Sequence, residues 1–173
     1  KGVMTSDQHQ RASDRTAEAM LKIERQLGYQ VDAVVMVQGD EPMVTPQMIE
    51  DALQPLRDAP DLQVVNLMAR IDSITDFEDP NEVKVVVDLE SNAIYFSREP
   101  IPSRRKGYDT VPMLKQVCVI PFRRDYLLKF NSLPETELER IESIDMLRII
   151  EHGGKVRMVM TESKSYSVDT AED

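Results

Sequence analysis

The chain is predicted to be a three-layer α/β domain built on a mixed, mainly parallel sheet. Short apolar runs alternate with amphipathic helical stretches along its whole length, the pattern of strands covered by helices. One run, Val31 to Val37 (VDAVVMV), is apolar at almost every position, as a strand buried on both faces requires. A pair of runs between residues 83 and 97 is separated by turn residues and reads as a hairpin, which makes the sheet mixed.

The elements follow in order. Ser13 and Asp14 are suited to cap a first helix whose inward face is Ala17, Met20, Leu21 and Leu27, stopped by Gly28. The Val31–Val37 strand ends at the turn cluster Gln38-Gly39-Asp40-Glu41-Pro42. Thr45-Pro46 gives an N-cap followed by Pro at the first helical position, and the helix buries Ile49, Ala52, Leu53 and Leu56 before Asp58-Ala59-Pro60. Leu62 to Ala69 is a second strand. Val83 to Asp88 and Ala93 to Ser97 flank Glu90-Ser91-Asn92 as a hairpin, and Leu114 to Phe122 reads as one further strand. Arg123 to Phe130 is a short helix. Thr136 with Glu139 forms a capping box for a helix running to about His152, closed by Gly153-Gly154, and Lys155 to Thr161 is the last strand. The chain opens on Lys, and Thr170 with Asp173 fits the first turn of another helix, so both ends are expected to belong to a longer parent.

Composition narrows the function. At 173 residues the chain is one domain, and 41 % apolar residues exclude wholesale disorder. Its 21 Lys and Arg against 31 Asp and Glu leave a net charge of −10, which disfavours a nucleic-acid partner. No apolar run approaches the ~20 residues that cross a bilayer, and Lys1-Gly2-Val3-Met4 has no apolar signal core. The single cysteine, Cys118, permits no internal disulfide. A cytoplasmic protein without a membrane partner is expected.

Ligands of open α/β sheets bind beyond the carboxyl ends of the strands. Asp40 lies just past such an end, with Gly39 allowing close backbone approach and Pro42 stiffening the exit. A carboxylate there suits Mg²⁺, which takes one or two protein oxygens plus substrate phosphates, although Asp and Gly are also ordinary strand-end turn residues. Asp169 stands in the same relation to its strand and helix, and an Asp near a helix N-terminus equally complements the dipole. Arg98, after the Tyr95-Phe96-Ser97 strand, is the best-placed cation for phosphate or an acidic substrate. Arg11 and Arg15 flank the start of the first helix, where anions are already favoured. Arg104, Arg105 and Lys106 read as a solvated loop, His9 as a polar contact, His152 as a helix C-terminal cation and Cys118 as a small core residue. A glycine-rich phosphate loop is not found, so such a loop is expected in a missing amino-terminal unit.

Several segments occur in an order that resembles one family. They are Met4-Thr5-Ser6, His9-Gln10, Ser13-Asp14-Arg15, Val37-Gln38-Gly39-Asp40-Glu41-Pro42, Phe77 with Asp79-Pro80-Asn81 and Val83-Lys84-Val85-Val86, Tyr95-Phe96-Ser97-Arg98 with Ile101-Pro102, and Val168-Asp169-Thr170 with Glu172-Asp173. Together they resemble the 3-deoxy-manno-octulosonate cytidylyltransferases, the CMP-Kdo synthetases. Sialic-acid cytidylyltransferases lack the Gln-Gly-Asp-Glu-Pro form. The resemblance implies a Rossmann-like nucleotide-diphospho-sugar transferase fold and a homodimer built through a strand-rich insertion at about 83–122. It also implies Mg²⁺-assisted transfer of CMP from CTP to the anomeric hydroxyl of Kdo or a related acid sugar, releasing pyrophosphate, in lipopolysaccharide biosynthesis. By position, Asp40 and Asp169 are the implied catalytic metal ligands. Gln38, Arg98, Gln116 and Glu142 are implied to bind the sugar, and Ala12, Ser13 and Arg15 the nucleotide.

The chain differs from that family's usual pattern at three places that the resemblance sets around the sugar. It has His9-Gln10-Arg11-Ala12-Ser13 for His-Gln-Ser-Gly-Thr, Lys115-Gln116 for a Lys/Arg-His pair, and Asp145-Met146 for Glu-Gln. The competing readings are a non-catalytic sugar-nucleotide-binding or dimerisation module of the same fold, and a glycosyltransferase. The latter normally carries an Asp-x-Asp motif, absent after Val31–Val37.

Overall fold

In the computed structural model, which describes residues 2–106, 110–163 and 168, an irregular segment leads into α1 (Ala12–Leu27). The helix starts one residue earlier than its best cap: Arg11 is the N-cap, without a side-chain cap bond, and Ser13 sits buried inside the first turn. Gly28 closes it at φ 78°, donating its N–H to Glu24 O at 2.9 Å, a conformation only glycine adopts freely. β1 (Ala33–Val37) follows, then α2 (Pro46–Asp58), whose N-cap Thr45 Oγ1 accepts the Met48 N–H at 3.3 Å. β2 (Val65–Arg70) leads to α3 (Ile74–Glu78), capped by Ser73, a single turn too short to show periodicity in the sequence. β3 (Lys84–Val87) and β4 (Ala93–Ser97) form the expected hairpin.

The run from 114 to 122 is not one strand. It divides at Cys118 into β5 (Leu114–Val117) and β6 (Val119–Arg123), and the break moves the chain from one sheet to another. β5 pairs with β2 through Leu67↔Val117, whereas β6 pairs with β1 through Met36↔Ile120. α4 (Arg124–Ser132) comes next. The helix expected over 136–152 is likewise two: α5 (Glu137–Glu142) and α6 (Met146–Glu151), separated by Ser143 at φ 57°. β7 (Arg157–Met160) ends the described fold.

The sheets are mixed, as expected, but not mainly parallel among the described strands. The order β4-β3-β5-β2-β7 contains one parallel pair, β2–β7; β5 runs antiparallel to both β2 and β3, and β1–β6 is an antiparallel two-stranded sheet. Apolar composition reports burial, not direction, which is why the sequence pattern misjudged it. β1 also falls short of burial on both faces: only Met36 is fully buried in it, and Val37 is exposed at the cleft described below.

The larger core gathers Phe96, Phe122, Leu127, Phe130, Leu147 and Ile149, with the Phe122 and Phe130 rings stacked at 5.8 Å. A second cluster of Met48, Ala52, Leu67, Val117 and Val119 seats α2 on the strands. α1 is fixed to α4 by Glu24, which accepts from Arg124 Nε at 2.7 Å and Nη2 at 3.0 Å. Among the described residues no helix is long and apolar enough to cross a membrane.

Candidate active site

The ends of β1, β4 and β5, the start of α1 and the Ser143 turn converge on one polar cleft of about 620 Å³. From the turn after β1 come Gln38 and Asp40; from the end of β4, Arg98; from β5, Gln116; from α1, Ala12 and Arg15. Residues far apart in sequence thus share one wall-to-wall space. Ser13 and Glu142 stand behind its walls instead. The Ser13 hydroxyl donates to Asp145 Oδ2 at 3.1 Å, and the Glu142 carboxylate accepts from Tyr95 Oη, Ser97 Oγ and the Arg98 N–H. Asp169 lies outside the described residues; its chain neighbour Val168 donates its N–H to Asp40 O at 2.9 Å.

The turn after β1 is tied down from the β5–β6 break. Gln38 N–H donates to Cys118 O at 3.2 Å, and Glu41, buried, accepts the Cys118 N–H on Oε1 at 2.9 Å. Cys118 is therefore a half-buried residue of the cleft rather than a core side chain. With Glu41 engaged, Asp40 is left with a buried Oδ1 that has no hydrogen-bond partner among the described residues. A buried carboxylate oxygen without a donor is costly unless a ligand completes it. That is the donor chemistry a hard cation takes, and a single protein carboxylate suffices for Mg²⁺ when phosphates supply other oxygens. Among the described residues no set of three His, Cys, Asp or Glu side chains forms a metal cage by itself.

The cations of the cleft fall into two kinds. Lys115 is paired with Glu82 at 2.8 Å, and Arg11 with Asp145 at 3.3 Å. Arg98 and Arg15 are oriented by neutral acceptors. Arg98 Nε donates to Glu142 O at 2.8 Å and Nη1 to Pro80 O at 2.9 Å; Arg15 Nη1 donates to Thr5 Oγ1 at 2.6 Å and Ser6 O at 3.0 Å. Carbonyls and hydroxyls fix both guanidiniums, and among the described residues neither forms a direct ion pair, although Arg98 shares the field of the nearby Glu142 carboxylate. Burial pushes the Glu142 carboxyl up, but the hydrogen bonds from the Arg98 N–H, Ser97 and Tyr95, together with the Arg98 charge, outweigh it and hold the group below its ordinary value. Burial pushes Asp145 above its ordinary value despite the pull of Arg11.

Gln116 faces the cleft with its amide fixed: Nε2 donates to Asn66 Oδ1 at 2.5 Å. Asn66 is fully buried and donates to Val117 O at 2.7 Å and Leu67 O at 2.9 Å. Sequence reasoning missed it, although an amide inside the apolar run Val64-Val65-Asn66-Leu67-Met68 is itself a signal that something polar must be met there. The remaining expectations are simple: Arg104, Arg105 and Lys106 are exposed, His9 bonds Glu18, and His152 caps α6 with Nε2 3.2 Å from Pro134 O.

Fold and cleft together define an α/β protein with a polar cleft at strand ends, in which two fixed guanidiniums face the Asp40 carboxylate's turn. The family model described as Cytidylyltransferase matches residues 1–162. The 3-deoxy-manno-octulosonate cytidylyltransferase of Pelobacter propionicus is 38 % identical over 180 residues, covering 98 % of this chain and 68 % of its own. That of Geobacter sulfurreducens is also 38 % identical over 180 residues, with coverages of 98 % and 70 %. A solved structure of CMP:2-keto-3-deoxy-manno-octonic acid synthetase complexed with CTP superposes with a TM-score of 0.86 at 37 % identity, covering 98 % of this chain and 67 % of that one. The chain belongs to the cytidylyltransferase family, and it spans roughly two thirds of the length of these relatives.

Proposed function

We propose that this protein transfers CMP from CTP to the anomeric hydroxyl of Kdo or a related acid sugar, releasing pyrophosphate, in the cytoplasmic synthesis of lipopolysaccharide. The observation that carries the reading is the cleft itself: Asp40, with a buried oxygen that no described residue hydrogen-bonds, shares it with Arg15 and Arg98, neither of which forms a direct ion pair among the described residues. The family relationship supplies the reaction class.

In the reaction the sugar oxygen attacks the α-phosphorus, the bond from that phosphorus to the pyrophosphate oxygen breaks, and the hydroxyl proton passes to solvent. Such chemistry needs positioning and charge neutralisation more than a covalent nucleophile. Arg98 and Arg15 would bind and orient the anionic groups. Gln38 and Gln116 would hydrogen-bond the sugar, with Gln116 held by Asn66. Ala12, with Ser13 behind it, would form the wall against the base. Mg²⁺, when bound, supplies neutralisation of phosphate charge; Asp40 would hold it, and Asp169 is its proposed partner ligand. A homodimer is part of this proposal. It is supported by the position of β4 at the edge of its sheet with Ile94 exposed on it, and by the exposed Leu89 at the hairpin turn.

The test is pyrophosphate release by the full-length protein with Mg²⁺ and CTP, comparing Kdo, an amino-Kdo and a sialic acid. Release with Kdo or amino-Kdo supports the proposal and selects the sugar. Silence with all of them from folded protein overturns it.

A further inference from the structure

Arg11 and Asp145 close a bridge between the two walls of the cleft. Arg11 is the N-cap residue of α1, and Asp145 stands just before α6, beyond the left-handed turn at Ser143. The Arg11 guanidinium lies 3.3 Å from Asp145 Oδ1, donates to Ser143 Oγ at 3.4 Å, and has Glu135 and Glu139 at 3.8 and 4.0 Å. The other Asp145 oxygen accepts the Ser13 hydroxyl at 3.1 Å. Both Arg11 and Asp145 line the cleft. An uncompensated carboxylate at that position would repel any anion entering beside it, the more strongly for being largely withdrawn from water. Arg11 removes that repulsion, and with five donors it has N–H groups beyond those that hold Asp145 and Ser143.

We propose that Arg11 is a specificity-determining residue for the acid substrate: clasped by Asp145, its guanidinium cancels the carboxylate charge on the α5–α6 wall and offers its remaining N–H groups to the substrate's carboxylate or hydroxyls. This rests on the acid-sugar reading above. It separates the sugar from the nucleotide, since a charge placed against the sugar carboxylate acts on one KM and not on both.

The experiment uses the full-length protein and pyrophosphate release with Mg²⁺, varying Kdo at saturating CTP and CTP at saturating Kdo. Arg11→Ser raises KM for Kdo about tenfold, with KM for CTP within about twofold, the first change corresponding to one decade of affinity. Adding Asp145→Asn to Arg11→Ser restores most of the lost affinity, because a neutral amide needs no cation beside it. Thermal melting of each variant checks the fold. An unchanged KM for Kdo in Arg11→Ser, an equal rise in both KM values, or a double variant no better than the single overturns the assignment alone. A wild-type protein that releases no pyrophosphate overturns the proposed reaction and this assignment with it.

Discussion

Glu142 holds Arg98 at two points: its Oε2 accepts the Arg98 N–H, and its main-chain carbonyl accepts Nε, both at 2.8 Å. The same carboxylate takes Ser97 Oγ at 2.8 Å and Tyr95 Oη at 3.1 Å on Oε1. Three donors converge on an acceptor that sits outside the cleft, so Glu142 is a positioning residue. Glu142→Leu leaves the Arg98 N–H and the Tyr95 and Ser97 hydroxyls without their shared acceptor. It should cost about 1 kcal/mol of stability, the scale of half-buried donors left unpaired. The cleft readout is sharper: KM for the acid sugar should rise severalfold while KM for CTP holds. Denaturant unfolding with two-substrate kinetics checks both, and an unchanged KM for the sugar would sink the positioning role.

A second carboxylate, Glu18, controls how the segment before α1 is held. It accepts the Ser6 N–H at 2.9 Å, pairs with Lys22 at 2.6 Å and bonds His9, which lines the cleft. The Lys22 contact first, then Ser6 and His9, bring its pKa down from 4.5 to about 2. A carboxyl depressed in the folded state stabilises above its unfolded value and loses that contribution as pH falls through the folded one. The window is therefore from 4.5 down to about 2. The protection factor of the Ser6 amide against hydrogen exchange, followed by NMR, should fall across that window, and in Glu18→Gln the step should vanish. A Ser6 amide indifferent to both would show that the segment is held otherwise.

How much of this was legible beforehand differs from element to element. Local chemistry announced itself: Thr45-Pro46 and Gly28 end or begin helices where the structure does, because cap and φ requirements are satisfied within a few residues. The motif at Gln38–Pro42 lay at a strand end and lines the cleft, since strand-end loops are where α/β sheets expose polar groups. Breaks inside apolar runs were not legible. Nothing in Val117-Cys118-Val119 signals a change of sheet, and Ser143 takes a left-handed conformation that its residue type does not demand. Arg11 and Asp145 were each visible as departures from the family pattern, but their contact spans 134 residues and exists only in the folded chain.

Asp40 offers the cleanest test of the cation reading. Its Oδ1 is buried without a donor among the described residues, so Asp40→Asn removes charge without breaking a bond that the described fold makes at that oxygen. We expect a melting temperature within a few degrees of wild type and pyrophosphate release down about a hundredfold or more, the scale of losing a group that stabilises charge in the transition state. Mg²⁺ titration of the protein with CTP present, read by calorimetry, should show weaker binding in the variant. Full turnover in Asp40→Asn would remove the residue from the chemistry.

The buried pair behind the cleft predicts a stability effect of a different size. Glu139 is fully buried and Arg148 nearly so; Arg148 Nε and Nη2 meet the two Glu139 oxygens at 2.7 and 2.5 Å, and the guanidinium stacks 4.7 Å from the Phe130 ring centroid. Removing one partner strands a charge in the core, whereas removing both can be nearly neutral because two desolvation costs disappear together. Arg148→Met should therefore lose about 3–5 kcal/mol in urea unfolding, while Arg148→Met with Glu139→Leu should recover part of that loss, short of the capping bond that Glu139 Oε2 accepts from the Thr136 N–H at 3.3 Å. Arg11 complicates the double variant slightly, since its Nη2 sits 4.0 Å from Glu139 Oε1 and would keep Asp145 and Glu135 as partners. If Arg148→Met cost less than about 1 kcal/mol, Glu139 would have to find another donor or take a proton, and the pair would not be what fixes α5 against α6.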